Sequence, residues 1–326
     1  MRAVVCHELT GVDGVRYESA WPEPTAGAGQ LLVDVRSTAL NFPDLLMIHG
    51  KYQERPELPF VTGSEMSGVV RAVGADVLGF QVGDRVVGVC GRTLADQVAV
   101  DAGRVFHAPQ GLDFDAASGI CITYFTSIHA LKQRAQLQPG ETMLVLGATG
   151  GVGSTAIQLG KLMGAKVIAA ASSAAKLAVA TELGADATID YSREDLRERL
   201  KALTGGKGVD VVYDPVGGEL SEPALRGIAW RGRYLVIGFA DGRIPSLPFN
   251  LPLLKGCAIV GVFWGSFAQR EPEVQRQNVA ELWDYFATGR LQPLVGEVHP
   301  LTDYRAAFTS LATRRARGKV VVRVSP

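Results

Sequence analysis

The sequence lacks an excess of charge of either sign. Its 33 Lys and Arg residues balance 33 Asp and Glu residues, and the isoelectric point lies near 7. Nucleic acids and anionic membranes are bound through basic surfaces, which a neutral chain is poorly equipped to form. The balance argues against nucleic acid or a membrane surface as the partner and favours a small molecule.

Long apolar runs and paired cysteines are also missing. No run reaches the length of a membrane span, and residues 1–7 read as a strand without the apolar centre of a signal peptide. Cys6, Cys90, Cys121 and Cys257 form no CxxC pair, which argues against both a disulfide framework and a metal knuckle. We expect a cytoplasmic protein with reduced thiols.

What the sequence does contain is a strand, a glycine turn, a helix and a second strand within residues 144–171. Such a turn places a helix N-terminus against a pyrophosphate and is typical of dinucleotide-binding folds. We predict that Gly150 makes the tight turn and that Gly153 lets the helix pack closely on the strand. The predicted turn contacts are Ala148, Thr149, Gly150, Gly151 and Val152.

The residues after the second strand indicate which dinucleotide is bound. An enzyme that uses the unphosphorylated coenzyme places an acidic residue there against the ribose hydroxyls, but this chain has Ser172 and Ser173, followed by Lys176. Hydroxyls and an ammonium suit a 2′-phosphate, so we predict NADP(H). Lys176 taken alone is equally consistent with a solvated helix lysine.

The predicted secondary structure changes near residue 122. Residues 1–122 contain short β-rich segments separated by Gly and Pro, whereas strands and helices alternate in residues 123–264. This predicts an α/β protein with a β-rich first domain and a doubly wound parallel-sheet domain, and residues 265–326 returning to the first domain. The predicted strands of the second domain are 144–146, 166–171, 187–190, 209–213, 232–237 and 258–263.

With both domains placed, the chain resembles the zinc-free medium-chain dehydrogenases/reductases, in particular the quinone oxidoreductases related to zeta-crystallin. The resemblance implies a GroES-like catalytic domain beside a Rossmann domain, with the active site in the cleft between them. Besides the glycine turn, it rests on Asn41-Phe-Pro-Asp44, Gly50-Lys-Tyr52, Pro59-Phe-Val-Thr-Gly-Ser-Glu65, Gly83-Asp-Arg-Val, Gly184-Ala-Asp, Asp214-Pro-Val-Gly-Gly and Gly318-Lys-Val-Val.

The ligand positions of related zinc enzymes are changed in this chain. Those enzymes place a Cys at the position that matches Asn41 and a His at the one that matches Ser64, and of their structural cysteine lobe Cys90 alone remains. We therefore predict no metal. Short-chain dehydrogenases are set aside because no Tyr is followed four residues later by Lys.

Without a metal to polarise a carbonyl, hydride transfer to an electron-poor acceptor is the easier chemistry. Asn41 is the candidate donor to the acceptor carbonyl or the nicotinamide ribose, with a structural role before Pro43 equally open. Asp44 matches a family position near the cofactor and is interpreted as an orienting acceptor rather than a general acid. Tyr52 could donate a proton, cover the substrate or be an ordinary loop tyrosine.

The resemblance implies further cofactor contacts in the second half of the chain. For Phe263 and Trp264, core or interface packing is an equal alternative. One departure is Leu46, where quinone reductases of the bacterial type often carry Tyr, so we expect a more apolar pocket that is less suited to a quinone. The implied contacts are Thr126, Tyr191, Gly238, Phe263, Trp264 and Lys319.

Three functions remain open. The first is NADPH-dependent reduction of a quinone; the second is reduction of an enone or an enoyl thioester of the acryloyl- or crotonyl-CoA type. The third is a non-catalytic binding role like that of some zeta-crystallin relatives. The apolar strand 258–263 is expected at a sheet edge, where a second copy would cover it, so we also predict a homodimer.

Overall fold

The structure, a computed structural model, describes residues 1–53 and 55–325. The chain divides into two compact units, one formed by Met1–Ile122 together with the segment from Pro293 onward, the other by Thr123–Gln292. The return to the first unit was predicted at residue 265 but begins at Pro293. Residues 265–292 belong to the second unit because their helices pack there, for example through Phe267, which stacks on His129.

The first unit is rich in strands. Its alternating apolar residues lie in the core; Leu31, Val33 and Val35, for example, are fully buried. Its elements are β1 (Ala3–Cys6), β2 (Val15–Glu18), β3 (Gln30–Leu40), α1 (Phe42–Ile48), β4 (Phe60–Val61), β5 (Glu65–Val73), β6 (Arg85–Val89), β7 (Gln97–Asp101), β8 (Val105–His107) and α2 (Phe114–Ser118). The helix α3 (Ile120–Ile128) begins in this unit, and the unit boundary falls within it.

The second unit alternates strands with helices. A π-helical segment at His129–Arg134 comes first. Its elements are then β9 (Thr142–Leu146), α4 (Gly151–Leu162), β10 (Lys166–Ala171), α5 (Ala174–Glu182), β11 (Ala187–Asp190), α6 (Leu196–Leu203), β12 (Val209–Asp214), α7 (Ser221–Arg226), β13 (Ile228–Val236), α8 (Asn250–Lys255), β14 (Ala258–Gly261), α9 (Trp264–Arg270) and α10 (Pro272–Ala287). The chain then returns to the first unit as β15 (Val295–Pro300), α11 (Tyr304–Ala312) and β16 (Lys319–Arg323).

Two sheets form in the first unit. The smaller has the order β2-β1-β4, and the larger has the order β15-β16-β3-β5-β6-β8, with β7 also paired to β3. Strand β16 lies antiparallel to β3, with Val320 opposite Leu40, and β3 lies antiparallel to β5, with Thr38 opposite Met66. The end of β3 therefore lies near the starts of β5 and β16.

The sheet of the second unit has six parallel strands in the order β11-β10-β9-β12-β13-β14. This is the doubly wound topology predicted from the alternation of strands and helices, and the order reverses direction between β9 and β12, where such sheets bind ligands. Strand β14 lies at the edge, as predicted, but it ends at Gly261 rather than at Phe263. No helix of the described residues is both long and apolar enough to cross a membrane.

Candidate active site

A buried polar cluster lies where β3, β5 and β16 meet in the first unit. We call it the Asn41 cluster; it consists of Asn41, Asp44, Ser64, Glu65 and Lys319. Asn41 follows β3 and is the N-cap of α1, which carries Asp44. Ser64 immediately precedes β5, Glu65 opens that strand, and Lys319 opens β16. Charged groups are rarely buried unless they are paired, so the buried charges of this cluster need partners inside the protein.

Glu65 and Lys319 form the centre of the cluster as a buried ion pair. Glu65 is 0% exposed and Lys319 is 6% exposed, and their charged atoms are 2.9 Å apart. Lys319 Nζ also donates to Leu40 O at 2.9 Å and to Asn41 Oδ1 at 2.7 Å, while Glu65 Oε2 accepts from the Ile122 backbone N–H at 3.0 Å. All three ammonium hydrogens thus go to protein acceptors. Lys319 thus holds Glu65 and Asn41 in place, while its contact with the cofactor stays a prediction.

The amide of Asn41 is fixed by the same pair. An ammonium can only donate, so the amide oxygen faces Lys319. The amide nitrogen then donates to Glu65 Oε1 at 2.8 Å and to Ala39 O at 3.2 Å, which uses both of its hydrogens. Both amide hydrogens are thus bonded within the protein, which favours the structural role at the start of α1. A contact of Asn41 with the acceptor carbonyl or the nicotinamide ribose stays a prediction.

Asp44 is the member of the cluster whose hydrogen bonding is incomplete. Its Oδ2 accepts from the Asn41 backbone N–H at 2.7 Å and from Ser64 Oγ at 3.1 Å. Its Oδ1 is buried and has no hydrogen-bond partner among the residues that the structure describes. Burial raises the pKa of Asp44 from 3.8 to about 6, although the bonds from Asn41 and Ser64 and the charge of Lys319 oppose the rise.

The positions that match zinc ligands in related enzymes are occupied by this hydrogen-bond network. Asn41 bonds Glu65 and Lys319, and Ser64 bonds Asp44. Across residues 1–53 and 55–325, no three His, Cys, Asp or Glu side chains are grouped as metal ligands would be. Tyr52, the third predicted catalytic residue, is half-buried in the segment that follows α1.

In the second unit the glycine turn joins β9 to α4. The left-handed backbone conformation occurs at Gly147 (φ 58°), whereas Gly150 has φ −72° and serves as the N-cap. The tight turn predicted at Gly150 thus depends on Gly147, which the sequence analysis missed. A Cβ at Gly153 would lie 2.3 Å from Gly147 O, so this position needs glycine to pack against the turn itself.

The turn has the properties that a pyrophosphate requires. Helix α4 begins at Gly151, as predicted, and its N-cap Gly150 is exposed and has no side chain to cover the first N–H groups. Ala148 and Thr149 are buried, and Val152 is half-buried. Buried hydroxyls hold helix α4 within the second unit. Ser127 Oγ lies 2.7 Å from Thr155 Oγ1 on the helix and 2.8 Å from Tyr213 Oη on β12.

The predicted phosphate-binding residues converge at the end of β10, at a position we call the phosphate corner. Lys176 Nζ donates to Ser172 Oγ at 3.4 Å, and Ser173 caps α5 by accepting from the Lys176 backbone N–H. Tyr191 is adjacent because its backbone N–H donates to Ala171 O at 3.2 Å. Two hydroxyls, an ammonium and the start of α5 thus lie together, which is the donor set that a phosphate group requires.

The remaining predicted contacts occupy different settings. Thr126 is half-buried on α3, and a Cβ at Gly238 would meet nothing nearer than Pro215 O at 3.6 Å, so packing alone does not demand glycine there. Trp264 donates to Gln275 at 3.1 Å and packs inside the second unit. Phe263 is 62% exposed, which excludes core packing for it in the single chain.

Comparisons with known proteins agree with this arrangement. A family model described as "Alcohol dehydrogenase GroES-like domain" matches residues 27–130, and one described as "Zinc-binding dehydrogenase" matches residues 151–282. The sequence is 40% identical to quinone oxidoreductase-like protein 2 homolog of Nematostella vectensis over 98% of this chain and 88% of that protein. The chain belongs to the quinone oxidoreductase-like family of medium-chain dehydrogenases/reductases.

Solved structures of this family have the same fold. Escherichia coli quinone oxidoreductase complexed with NADPH superposes with a TM-score of 0.93 at 27% identity, covering 99% of this chain and 100% of that one. A mycobacterial protein complexed with NADPH gives 0.93 at 30% identity, with the same coverage of both chains. The GroES-like plus Rossmann fold predicted from the sequence is therefore confirmed.

One residue of the candidate site, Glu65, was missed as an individual prediction. It appeared in the sequence only within a motif, without a role, whereas Ser64 was named as the position of a zinc ligand in related enzymes. A signal was present: Glu65 and Lys319 each open a strand and are followed by apolar or small residues before the next charge, Arg71 or Arg323. A charge at the start of such a run needs a partner. Opposite charges at two such positions indicate a buried pair.

Proposed function

We propose that this quinone oxidoreductase-like protein is an NADPH-dependent reductase that delivers hydride to an electron-poor acceptor, a quinone in the first instance. The observation that carries the proposal is the phosphate corner, where Ser172, Ser173 and Lys176 meet at the end of β10 beside the glycine turn. When bound, the coenzyme would supply the hydride. The chain would hold its pyrophosphate at α4 and its 2′-phosphate at Lys176.

The test is consumption of NADPH by the purified protein with a panel of acceptors. A benzoquinone, a short enone and a crotonyl thioester are compared at equal concentration, with NADH as the matched coenzyme control. The proposal expects turnover with NADPH and much less with NADH. Absence of NADPH oxidation with every acceptor, at protein concentrations that bind NADPH, would contradict it.

Reduction of an enone or enoyl thioester is the second candidate. Leu46, which replaces a family tyrosine, is half-buried on α1 two residues after Asp44. An aliphatic side chain favours an alkyl-substituted acceptor over a polar quinone ring. Turnover of the crotonyl thioester well above that of the quinone would favour this candidate.

We further propose that catalysis is independent of zinc. The amide of Asn41 and the hydroxyl of Ser64, at the would-be ligand positions, are bonded within the Asn41 cluster, and an ion needs about three protein ligands. Prolonged chelation should leave kcat unchanged. Stoichiometric zinc in the purified protein, with turnover lost on its removal, would contradict this.

A cytoplasmic location and a homodimer joined through β14 complete the proposal. The four cysteines are free thiols, as a reducing compartment requires, and Ile259 on the edge strand is 40% exposed. A two-fold contact between two copies of β14 would pair this edge.

A further inference from the structure

Reduction of a quinone or enone requires a proton as well as a hydride; Tyr52 is one candidate source from the sequence, and the Asn41 cluster contains another. Asn41 is excluded because its amide hydrogens are bonded to Glu65 and Ala39. Lys319 is excluded because its ammonium hydrogens are bonded to Glu65, Asn41 and Leu40. Among the residues that the structure describes, Asp44 Oδ1 is the unsatisfied atom of the Asn41 cluster, and the Ser64 hydroxyl donates to the other oxygen of the same carboxyl.

Ser64 and Asp44 differ in exposure in the way that a proton relay requires. Asp44 is 1% exposed, whereas Ser64, whose hydroxyl bonds the Asp44 carboxyl, is half-buried. The Ser64 Oγ to Asp44 Oδ2 distance of 3.1 Å is a hydrogen bond that either oxygen can donate once Asp44 is protonated. When Asp44 donates this hydrogen bond, the Ser64 O–H no longer bonds Asp44 and can donate to the acceptor instead.

We propose that Ser64 donates the proton that completes reduction of the acceptor and that Asp44 supplies the replacement proton to Ser64. The inference rests on the proposed reductase function and assigns its proton donor. After hydride from the reduced nicotinamide has reached the acceptor, the acceptor oxygen carries a negative charge. The Ser64 O–H bond breaks as the acceptor O–H bond forms, and the Asp44 O–H bond breaks as that of Ser64 re-forms. Asp44 is left as a carboxylate, which solvent reprotonates through Ser64 after product leaves.

The charges around Asp44 support a carboxyl that holds a proton at moderate acidity. Burial raises the pKa of Asp44 to about 6; Glu65 on β5 also raises it, and Lys319 on β16 lowers it. The other elements packed against α1 carry Asp13 and Arg305, which are exposed and pair with each other at 3.5 Å. Burying Oδ1 without a hydrogen-bond partner among the described residues costs less free energy when Asp44 is a neutral acid than when it is a carboxylate. This favours the protonated form of Asp44.

The decisive measurement is the dependence of kcat on pH at saturating NADPH and acceptor. In the wild type, kcat should fall as the pH rises above about 6, because a decreasing fraction of Asp44 is then protonated. Asp44→Asn and Ser64→Ala should each lower kcat by about 10² to 10⁴-fold and abolish that dependence, and Ser64→Thr should restore it. Ser67→Ala is the matched control, since Ser67 is a buried β5 hydroxyl that bonds Phe114 O instead.

A second readout is independent of turnover. Infrared difference spectra between pH 5 and pH 8 should contain a protonated carboxyl band that is absent in Asp44→Asn and shifted in Ser64→Ala. Fluorescence titration with NADPH should give the same Kd in all variants, which separates the relay from coenzyme binding. No band near neutral pH, or an active wild type whose pH profile survives both substitutions, overturns the relay. A wild type that shows the band but reduces no acceptor overturns the proposed function instead.

Discussion

At the scale of single residues, the phosphate corner and the Asn41 cluster use charge differently. Lys176 is half-buried, and its ammonium donates to the hydroxyl of the exposed Ser172. Lys319 is buried, and its ammonium donates to Glu65, Asn41 and Leu40. The two lysines, both predicted to contact the coenzyme, therefore stand in different environments: Lys176 bonds a surface hydroxyl and Lys319 bonds a buried carboxylate.

Lys176→Ala should weaken NADPH binding by about 1 to 3 kcal/mol, the range for loss of a charge-assisted hydrogen bond, and should leave NADH binding nearly unchanged. Fluorescence titration with both coenzymes measures the difference. Lys166→Ala is a matched control, because Lys166 is an exposed lysine at the opposite end of the same strand. Equal Kd values of the wild type for the two coenzymes would contradict the assignment of the phosphate corner.

The buried carboxyl of Asp44 should make stability depend on pH. Since its pKa is raised from 3.8 to about 6 in the folded state, the unfolded chain loses this proton first, and stability falls as the pH rises through that range. The total loss is about 3 kcal/mol, from about 2 pKa units at about 1.4 kcal/mol each. It should be complete above about pH 7.

Urea unfolding of the wild type and Asp44→Asn at pH 4.5 and pH 7 tests this. All other titrating groups are common to both proteins, so the difference between their unfolding free energies isolates Asp44. We expect that difference to move in favour of Asn as the pH rises. A constant difference would contradict the raised pKa.

At the scale of elements, helix α4 illustrates that glycines on one helix serve different purposes. A Cβ at Gly153 would lie 2.3 Å from the backbone oxygen of Gly147, which cannot move without opening the turn. A Cβ at Gly160 would lie 2.4 Å from Met143 Cε, the far end of a flexible side chain that can shift.

Gly153→Ala should therefore destabilise the protein by about 1 to 3 kcal/mol and weaken NADPH binding, because the turn has to open. Gly160→Ala, on the same helix, should destabilise the protein less. Alanine has a helix propensity about 1 kcal/mol more favourable than glycine, and the Met143 side chain can move aside. Thermal unfolding with and without NADPH compares the two variants. Equal losses of stability and of binding would show that the contact with the turn is not what Gly153 provides.

Element boundaries show how far local patterns reach. Strands β10 and β11 begin and end where the sequence predicted, because apolar runs bounded by glycine and polar residues define them. Strand β13 begins at Ile228, ahead of the predicted 232, and includes exposed residues such as Trp230. Pairing of Ile228 with Val209 on the neighbouring strand sets that boundary, which is a contact that no local pattern contains.

At the scale of the whole molecule, the exposed edge strand β14 leads to the prediction of a dimer. Val260→Pro removes a backbone donor and kinks the edge, so it should shift the protein to monomer or aggregate. Ile259→Lys should also shift the protein toward monomer, because like charges on the two copies would repel. Leu78→Lys is the control and should leave the mass unchanged, because Leu78 is a 90% exposed apolar residue of the first unit. Light scattering at micromolar concentration measures the mass, and a wild-type mass near the 34.7 kDa of one chain would contradict the dimer.

The sequence by itself determined the two-part fold, the parallel sheet, the glycine turn and the phosphate corner. Each depends on residues close together in the chain, where strand and helix periodicity and short-range capping decide the structure. Lys176 and Ser172, for example, are four residues apart.

The tertiary structure alone decided the hydrogen-bond partners of Asn41, Glu65 and Lys319 and the return to the first unit at Pro293. Glu65 and Lys319 are 254 positions apart, and their pairing depends on β3, β5 and β16 meeting in one sheet. Whether a donor is free for a substrate is settled by the acceptors that folding brings to it, and burial decides whether a carboxyl keeps its proton. Both properties belong to the folded environment rather than to any segment of the chain.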